Sequence, residues 1–202
     1  MKKYFITGIG TNIGKTVVSA ILTEALEADY WKPIQAGDLD SSDSLKVKNL
    51  ISNKKTTIHP EAYRLNQPMS PHAAAKLDKV TIDLNNIILP ETQNNLIVEG
   101  AGGLMVPLND KDLIIDLIAK LDAEVILVSQ NYLGSINHTL LSIEMLKSKG
   151  LKVCGIIFNG EENKETESFI LNYTKLKFLG RLQQHQEITK EIVLSYKNQI
   201  GL

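Results

Sequence analysis

One cysteine in 202 residues, Cys154, rules out an internal disulfide and suits a reducing compartment. It stands in an apolar run, where a buried, inert thiol is expected rather than a nucleophile. Basic side chains number 22 against 23 acidic ones, a formal net charge of −1. The basic excess that marks a nucleic-acid surface is therefore missing. No apolar run approaches the ~18 residues of a membrane span. The run Tyr4–Ile6 behind Lys2-Lys3 is too short for the core of a signal peptide. The four histidines lack metal-ligand spacing, and no repeat or low-complexity tract interrupts the chain. What remains is a globular chain with 43% apolar residues, expected to be soluble and cytoplasmic. Neither nucleic acid nor membrane is expected as a partner. Its length fits one domain, residues 1–202, with both faces of a sheet covered.

The most informative stretch that is present runs from Tyr4 to Thr16. A short apolar strand leads into Gly8-Ile9-Gly10-Thr11-Asn12-Ile13-Gly14-Lys15-Thr16, and a helical pattern follows. This is the form of a phosphate-binding loop (P-loop). Glycines let backbone N–H groups turn inward around phosphate oxygens, and the helix points its positive end at the same place. Lys15 would reach the β- and γ-phosphates, and the Thr16 hydroxyl would ligate Mg²⁺. The strict pattern has its first glycine one residue later, at the position of Ile9, so this loop is one residue longer.

Strands are expected at Lys3–Thr7, Ala28–Trp31, Asn95–Glu99, Glu124–Ser129, Val153–Phe158 and Phe178–Leu182. Helices are expected at Lys15–Glu27, Asp43–Ile51 capped by Ser42, a short one after Ser70-Pro71 to Leu77, and Thr81–Ile88. Further helices are expected at Asp112–Leu121, from Ser135 as cap to Lys149 with Gly150 as stop, Lys164–Tyr173 and Glu187–Gln199. Lys54–Pro68 reads as irregular. The alternation predicts an α/β fold: a single doubly wound, mainly parallel sheet of about six or seven strands flanked by helices.

Lys32 and Glu99 then stand at carboxyl ends of strands, where open α/β sheets bind ligands. A carboxylate there, facing a phosphate loop, is where such folds orient a metal. Gly100-Ala101-Gly102-Gly103 behind Glu99 allows close backbone approach to a ligand. A plain strand-to-loop junction is the alternative for Glu99. Spacing alone reads Asp43 as compensation of a helix dipole.

The motifs together say more. Gly14-Lys15-Thr16-Val17, Lys32-Pro33-Ile34-Gln35-Ala36-Gly37, Ser42-Asp43-Ser44 and Ser70-Pro71-His72 are followed by Glu99-Gly100-Ala101-Gly102-Gly103, Ser135-Ile136-Asn137-His138 and Phe158-Asn159. In this order and spacing, over residues 2 to about 160, the chain closely resembles the dethiobiotin synthetases. The resemblance implies closure of a ureido ring on 7,8-diaminopelargonic acid, using CO₂, a nucleoside triphosphate (ATP or another) and Mg²⁺. A carbamate and its mixed anhydride with phosphate would be the intermediates. It implies catalytic roles for Lys15, Lys32 and Thr11, and metal ligation by Thr16, Asp43 and Glu99. Nucleotide contacts would come from Asn12, Ile13, Gly14, Lys15, Thr16, Val17 and Asn159. Substrate contacts would come from Thr11, Lys32, Gln35, Gly102, Gly103, Ser135 and Asn137, near the interface of a homodimer. His72 and His138 would be structural hydrogen-bonders.

Two departures stand out. Ile9, Gly10 and Asn12 stand where the family loop commonly has Thr, Asp and an acid. The segment Gly180–His185 lacks the proline that often closes over the purine, so a weakened or altered base preference is expected. Another P-loop synthetase or kinase acting on a small carboxylate, and a switch-type ATPase, are the competing readings. Such switches carry an extra lysine early in the loop, and none stands at positions 9 to 12. The apolar side of the last helix, Ile188, Ile192, Val193, Tyr196 and Ile200, reads as core packing rather than a membrane anchor.

Overall fold

The computed structural model describes residues 1–202. Its strands are β1 (Lys3–Gly8), β2 (Asp29–Trp31), β3 (Ile34–Ala36), β4 (Ile58–His59), β5 (Tyr63–Leu65), β6 (Leu96–Gly103), β7 (Glu124–Gln130), β8 (Val153–Asn159) and β9 (Phe178–Leu182). Its helices are α1 (Lys15–Leu26), α2 (Asp43–Leu50), α3 (Pro71–Leu77), α4 (Ile114–Leu121), α5 (Ser135–Ser148), α6 (Lys164–Thr174) and α7 (Lys190–Ser195). Seven strands form one sheet in the order β4-β2-β6-β1-β7-β8-β9, and every pairing is parallel. β3 and β5 pair separately, also in parallel.

Strand alternation divides the core in two. Tyr4, Ile6, Tyr30, Ile97, Ile126 and Ile157 point to one face, where Val18, Ile21 and Leu22 of α1, Val47 of α2 and Val193 of α7 cover them. Phe5, Trp31, Leu96, Val98 and Val125 point to the other, against α3, α4 and Leu146 of α5. Leu127, Ile156 and Phe158 continue that second face beneath Ile143 and Ile170. Both faces are covered, as the near-continuous apolar runs of parallel strands require.

Several local expectations are corrected. Lys54–Pro68 is not irregular throughout, since β4 and β5 lie inside it. Strands of two and three residues are too short to show alternation. Thr81–Ile88 is no helix. A 3₁₀ turn, Leu84–Asn86, replaces it, with the Asp83 side chain accepting from Asn85 N–H. A short polar side chain that takes a backbone donor this way competes with helix formation, and Ile82 and Ile87 anchor the segment in the core instead. The α5 cap is Gly134 at φ 99°, not Ser135, which is its first residue. α7 is shorter than expected, although Val193 and Tyr196 are buried and Ile188, Ile192 and Ile200 pack beside them as foreseen. Beyond it, Gly201 N–H donates to the Leu179 carbonyl at 2.8 Å, covering the outer edge of β9.

At the opposite edge a buried carboxylate holds short β4 in place. Asp29 accepts from Thr57 N–H at 2.9 Å, Thr92 Oγ1 at 2.7 Å and Asn94 Nδ2 at 3.2 Å, and pairs with His59 Nε2 at 3.0 Å. Burial opposes its charge, but these donors outweigh burial and hold its pKa below the usual aspartate value. A depressed carboxyl pKa contributes stability above the unfolded-state value near 4 and loses it as pH falls through the folded one. Asp29→Ala strands these donors and should cost about 1–3 kcal/mol in urea unfolding at pH 7. The gap to wild type should narrow below about pH 4. A pH-independent gap would contradict this assignment.

Candidate active site

The ends of β1, β2 and β6 place three loops against one another. Within the first, no backbone N–H from Gly10 to Val17 donates a hydrogen bond inside the protein. A run of uncommitted donors at a helix start is an anion site in waiting. Gly14 has φ 89°, and a Cβ there would stand 2.4 Å from Asn159 Nδ2. That amide donates to the Ile13 carbonyl at 2.9 Å, so Asn159 braces the loop from the end of β8. Gly103 pairs with Gly8 across the sheet, and a Cβ on it would come 3.2 Å from the Gly8 carbonyl. The glycines after Glu99 thus serve strand pairing first, with β6 running on to Gly103.

Beside the loop lies a buried ionic cluster. Lys32, 5% exposed, holds its ammonium between the Asp43 carboxylate and Glu99 Oε1, the latter at 3.2 Å. Glu99, 1% exposed, also accepts from Thr16 Oγ1 at 2.8 Å and, on its other oxygen, from Tyr30 OH at 2.9 Å. Burial alone would discharge Lys32, but the two carboxylates outweigh it and hold its pKa above the ordinary lysine value. Burial likewise opposes the Asp43 charge, and the Lys32 ammonium reverses this, keeping its pKa low. At Lys15 burial outweighs the pull of Glu99 and Asp43. Desolvation pushes it down to about 8 while its ammonium donates to the Gly10 carbonyl at 2.9 Å. An arriving polyphosphate would restore its charge.

A cleft of about 770 Å³ gathers Thr11, Asn12, Gly14, Lys15, Thr16, Val17, Lys32, Gln35, Asp43, Glu99 and Gly102. Most sequence-predicted residues therefore meet in one place. Gln35 is there but committed: its Oε1 accepts from Asp43 N–H at 3.2 Å and its Nε2 donates to the Gly37 carbonyl at 2.9 Å. It shapes the loop that carries Asp43.

A larger cavity of about 1220 Å³ adjoins at Gly14 and Val17, bounded by Asn137, Asn159, Gly160–Asn163 and Leu182–His185. Asn137 lies on this second cavity rather than the first, and Ser135 is buried beside it. α5 begins without a side-chain cap. The N–H groups of Ile136 and Asn137 have no acceptor within the protein. His138 accepts or donates at Nδ1 with Tyr132 OH at 2.7 Å, the structural role foreseen for it. His72 has no such role. It is exposed, and only its backbone N–H is engaged, with the Pro107 carbonyl. Cys154 is half-buried and donates to Glu124. Burial and that carboxylate push its thiol up to about 12, which makes it inert as expected.

Sequence reasoning gave no role to Tyr30, Lys46 or the brace at the rim of the larger cavity. Tyr30 lies two residues before Lys32, hence on the same strand face. Lys46 stands one helical turn after Asp43 and reaches its Oδ1 at 3.4 Å. At the rim, Glu167 binds Arg181 and also accepts from Asn131 Nδ2 at 2.6 Å and Asn163 N–H at 3.1 Å. Only the first two had a readable signal.

Residues 2–192 match the family described as AAA domain. The ATP-dependent dethiobiotin synthetase BioD of Christiangramia forsetii is 59% identical over 96% of this chain and 94% of that protein. The protein of the same name from Cytophaga hutchinsonii is 56% identical over 97% and 95%, and that from Chlamydia pneumoniae 46% over 98% and 89%. Among solved structures, a ParA family ATPase from Chlorobium tepidum TLS matches with a TM-score of 0.59 at 13% identity, over 97% of each chain. The septum site-determining protein MinD from Pyrococcus horikoshii gives 0.59 at 16%, over 96% of this chain and 85% of that one. At such low identity the likeness is one of fold alone, that of the P-loop NTPases. The sequence relatives, matched nearly end to end, decide the rest: the chain belongs to the ATP-dependent dethiobiotin synthetase family.

Proposed function

We propose that this protein closes the ureido ring of dethiobiotin from 7,8-diaminopelargonic acid and CO₂ at the expense of ATP, in biotin biosynthesis. The observation that carries the reading at the level of residues is the convergence of Lys15, Lys32, Asp43 and Glu99 beside a loop of uncommitted N–H donors.

The donor set fits Mg²⁺. Thr16, Asp43 and Glu99 offer only oxygen, which a hard cation prefers, and the ammonium between the carboxylates marks the place as one that favours positive charge. A threonine hydroxyl that gives its proton to Glu99 keeps its lone pairs free for a metal. No group of three His, Cys, Asp or Glu is assembled, which suits an ion that keeps waters and phosphate oxygens. When bound, Mg²⁺ neutralises charge on the phosphates.

The protein's own part is positioning and charge. One amine of the substrate adds CO₂ to give a carbamate. A carbamate oxygen takes the γ-phosphoryl group as ADP leaves, and the second amine attacks the carbonyl carbon and expels phosphate, the amine protons passing to carboxylate or phosphate oxygens. Lys15 follows the phosphoryl group. Lys32 turns its ammonium from the carboxylates to the carbamate and phosphoryl oxygens, where negative charge moves. Thr11, exposed at the loop crest, hydrogen-bonds the acceptor, and the backbone of Gly102 lines its path, with Gly103 behind it paired to Gly8. The larger cavity takes the rest of the nucleotide, with Asn159 at its inner wall and the amides of Gln183 and Gln184 at its rim in place of a proline-bearing clamp.

We read the protein as a homodimer with its acceptor near the interface. Leu133 is fully exposed beside Tyr132 at the start of α5, and Leu141 is exposed on the same helix, an apolar surface that pairing would cover. The substrate's distal carboxylate would then meet the free N–H groups of Ile136 and Asn137. No helix is long and apolar enough to cross a membrane, and a cytoplasmic location suits this chemistry.

The test is incorporation of labelled CO₂ into an acid-stable product, run with each of four nucleoside triphosphates. Product should require diaminopelargonic acid, Mg²⁺ and a nucleoside triphosphate; ATP should support it, and at limiting concentration at least one other nucleotide should as well. No acid-stable label would overturn the reaction. Strict dependence on ATP would overturn the weakened base selectivity alone. Lys32→Met should lose at least ~2 kcal/mol of transition-state stabilisation, about thirtyfold in kcat, while calorimetry still shows ATP binding. Normal turnover in that variant would remove Lys32 from its role.

A further inference from the structure

Among the buried polar groups that the mechanism leaves unused, the hydroxyl of Tyr30 touches the site directly. Its side chain has no exposure and belongs to the apolar cluster that includes Ile6, Val18 and Ile97. Phenylalanine would fill the same space without desolvating a hydroxyl, which costs free energy unless the group is hydrogen-bonded. This hydroxyl has one partner, Glu99 Oε2 at 2.9 Å.

Sheet register brings the two together. In the β2–β6 pairing, Tyr30 stands opposite Ile97 and Trp31 opposite Val98. Glu99 therefore lies diagonally ahead of Tyr30 on the same face, a separation an aromatic side chain can span. Across that face comes Thr16 from α1. The result is an asymmetric carboxylate. Oε2 is turned into the protein and capped by the tyrosine. Oε1 is turned to the cleft, where Thr16 and Lys32 both donate to it.

The geometry points to Tyr30 as a positioning residue that locks the Glu99 rotamer, so that Oε1 alone faces the cleft for Thr16 and the divalent cation. The inference rests on the proposed reading of Thr16, Asp43 and Glu99 as the cation site. With the hydroxyl removed, Oε2 is a buried acceptor without a donor. The carboxylate then gains by rotating, which brings Lys32 onto the oxygen left without a donor and turns Oε1 away from Thr16. Groups that orient a metal-binding carboxylate typically account for about ten- to a hundredfold in metal affinity.

The test is Tyr30→Phe, with Mn²⁺ as the probe. Binding is followed by electron paramagnetic resonance in the complex with a non-hydrolysable ATP analogue, and ring closure is followed separately against Mg²⁺. Mn²⁺ affinity should fall about tenfold, the Mg²⁺ needed for half-maximal rate should rise in step, and KM for the diamine should stay unchanged. A packing control, Ile97→Val, alters the same apolar cluster but keeps the hydroxyl, and should bind Mn²⁺ like wild type. Wild-type Mn²⁺ affinity in Tyr30→Phe overturns the inference alone. A wild-type protein that binds no Mn²⁺ with the nucleotide overturns the cation site itself, and the inference with it. Should Tyr30→Phe not fold, a crystal structure of the wild type with Mn²⁺ and the analogue decides. The Tyr30–Glu99 bond retained, with Oε1 toward the cation, supports the assignment. A broken bond, or Oε2 toward the cation, refutes it.

Discussion

A buried ammonium between two carboxylates is the constraint on which the rest of the site depends. Burial opposes the charges of Lys32 and Asp43; Glu99 and Asp43 keep the Lys32 ammonium charged, and that ammonium keeps the Asp43 carboxyl ionised. Removing one partner would leave an uncompensated charge in the interior, the situation in which buried ion pairs become costly. The cluster is therefore indivisible, and the sequence must deliver all three groups to one point. The fold does so by bringing β2 and β6 side by side, so that Lys32 and Glu99 emerge together at the carboxyl edge. α2, capped by Ser42, brings Asp43 from above.

Such a cluster also explains why these residues suit phosphoryl chemistry. Its two carboxylates hold a cation, the Lys32 ammonium, next to a loop whose N–H groups have no internal partner. An anionic acceptor or a phosphate can draw the lysine outward, and a hard cation can take up the carboxylates it leaves. On the proposed reading, each exchange puts a partner of opposite charge beside the group that would otherwise be left bare. The bracing groups around it have a common purpose. Gln35 ties Asp43's helix start to Gly37, Tyr30 ties Glu99, and Asn159 ties Ile13.

Much of this was legible in the sequence because it is carried by local patterns. The P-loop, the strand before it and α1 follow from glycines, a strand of apolar residues and Lys15-Thr16 in series. Ser42 as cap of α2 could be read from a hydroxyl before a periodic run, and it does accept from Leu45 N–H. What was hidden is what depends on partners distant in the chain. β4 and β5 exist because β2 and β3 offer edges, and neither has a periodicity of its own. The segment 81–88 looked helical until Asp83 took the Asn85 N–H and the core claimed Ile82 and Ile87. Spacing alone made Asp43 a dipole partner. Only Lys32, eleven residues back on another element, makes it part of a charge cluster. The same holds for the sixty-nine-residue separation between Tyr30 and Glu99.

The central claim is that the resting lysine–carboxylate cluster and the loaded cation site are one place. An anomalous difference map from crystals grown with Mn²⁺ and a non-hydrolysable ATP analogue tests it most directly. The account predicts one peak among Thr16, Asp43 and Glu99, with the Lys32 ammonium displaced from between the carboxylates. A peak elsewhere, or a lysine still seated between Asp43 and Glu99 with nucleotide and metal bound, would contradict it.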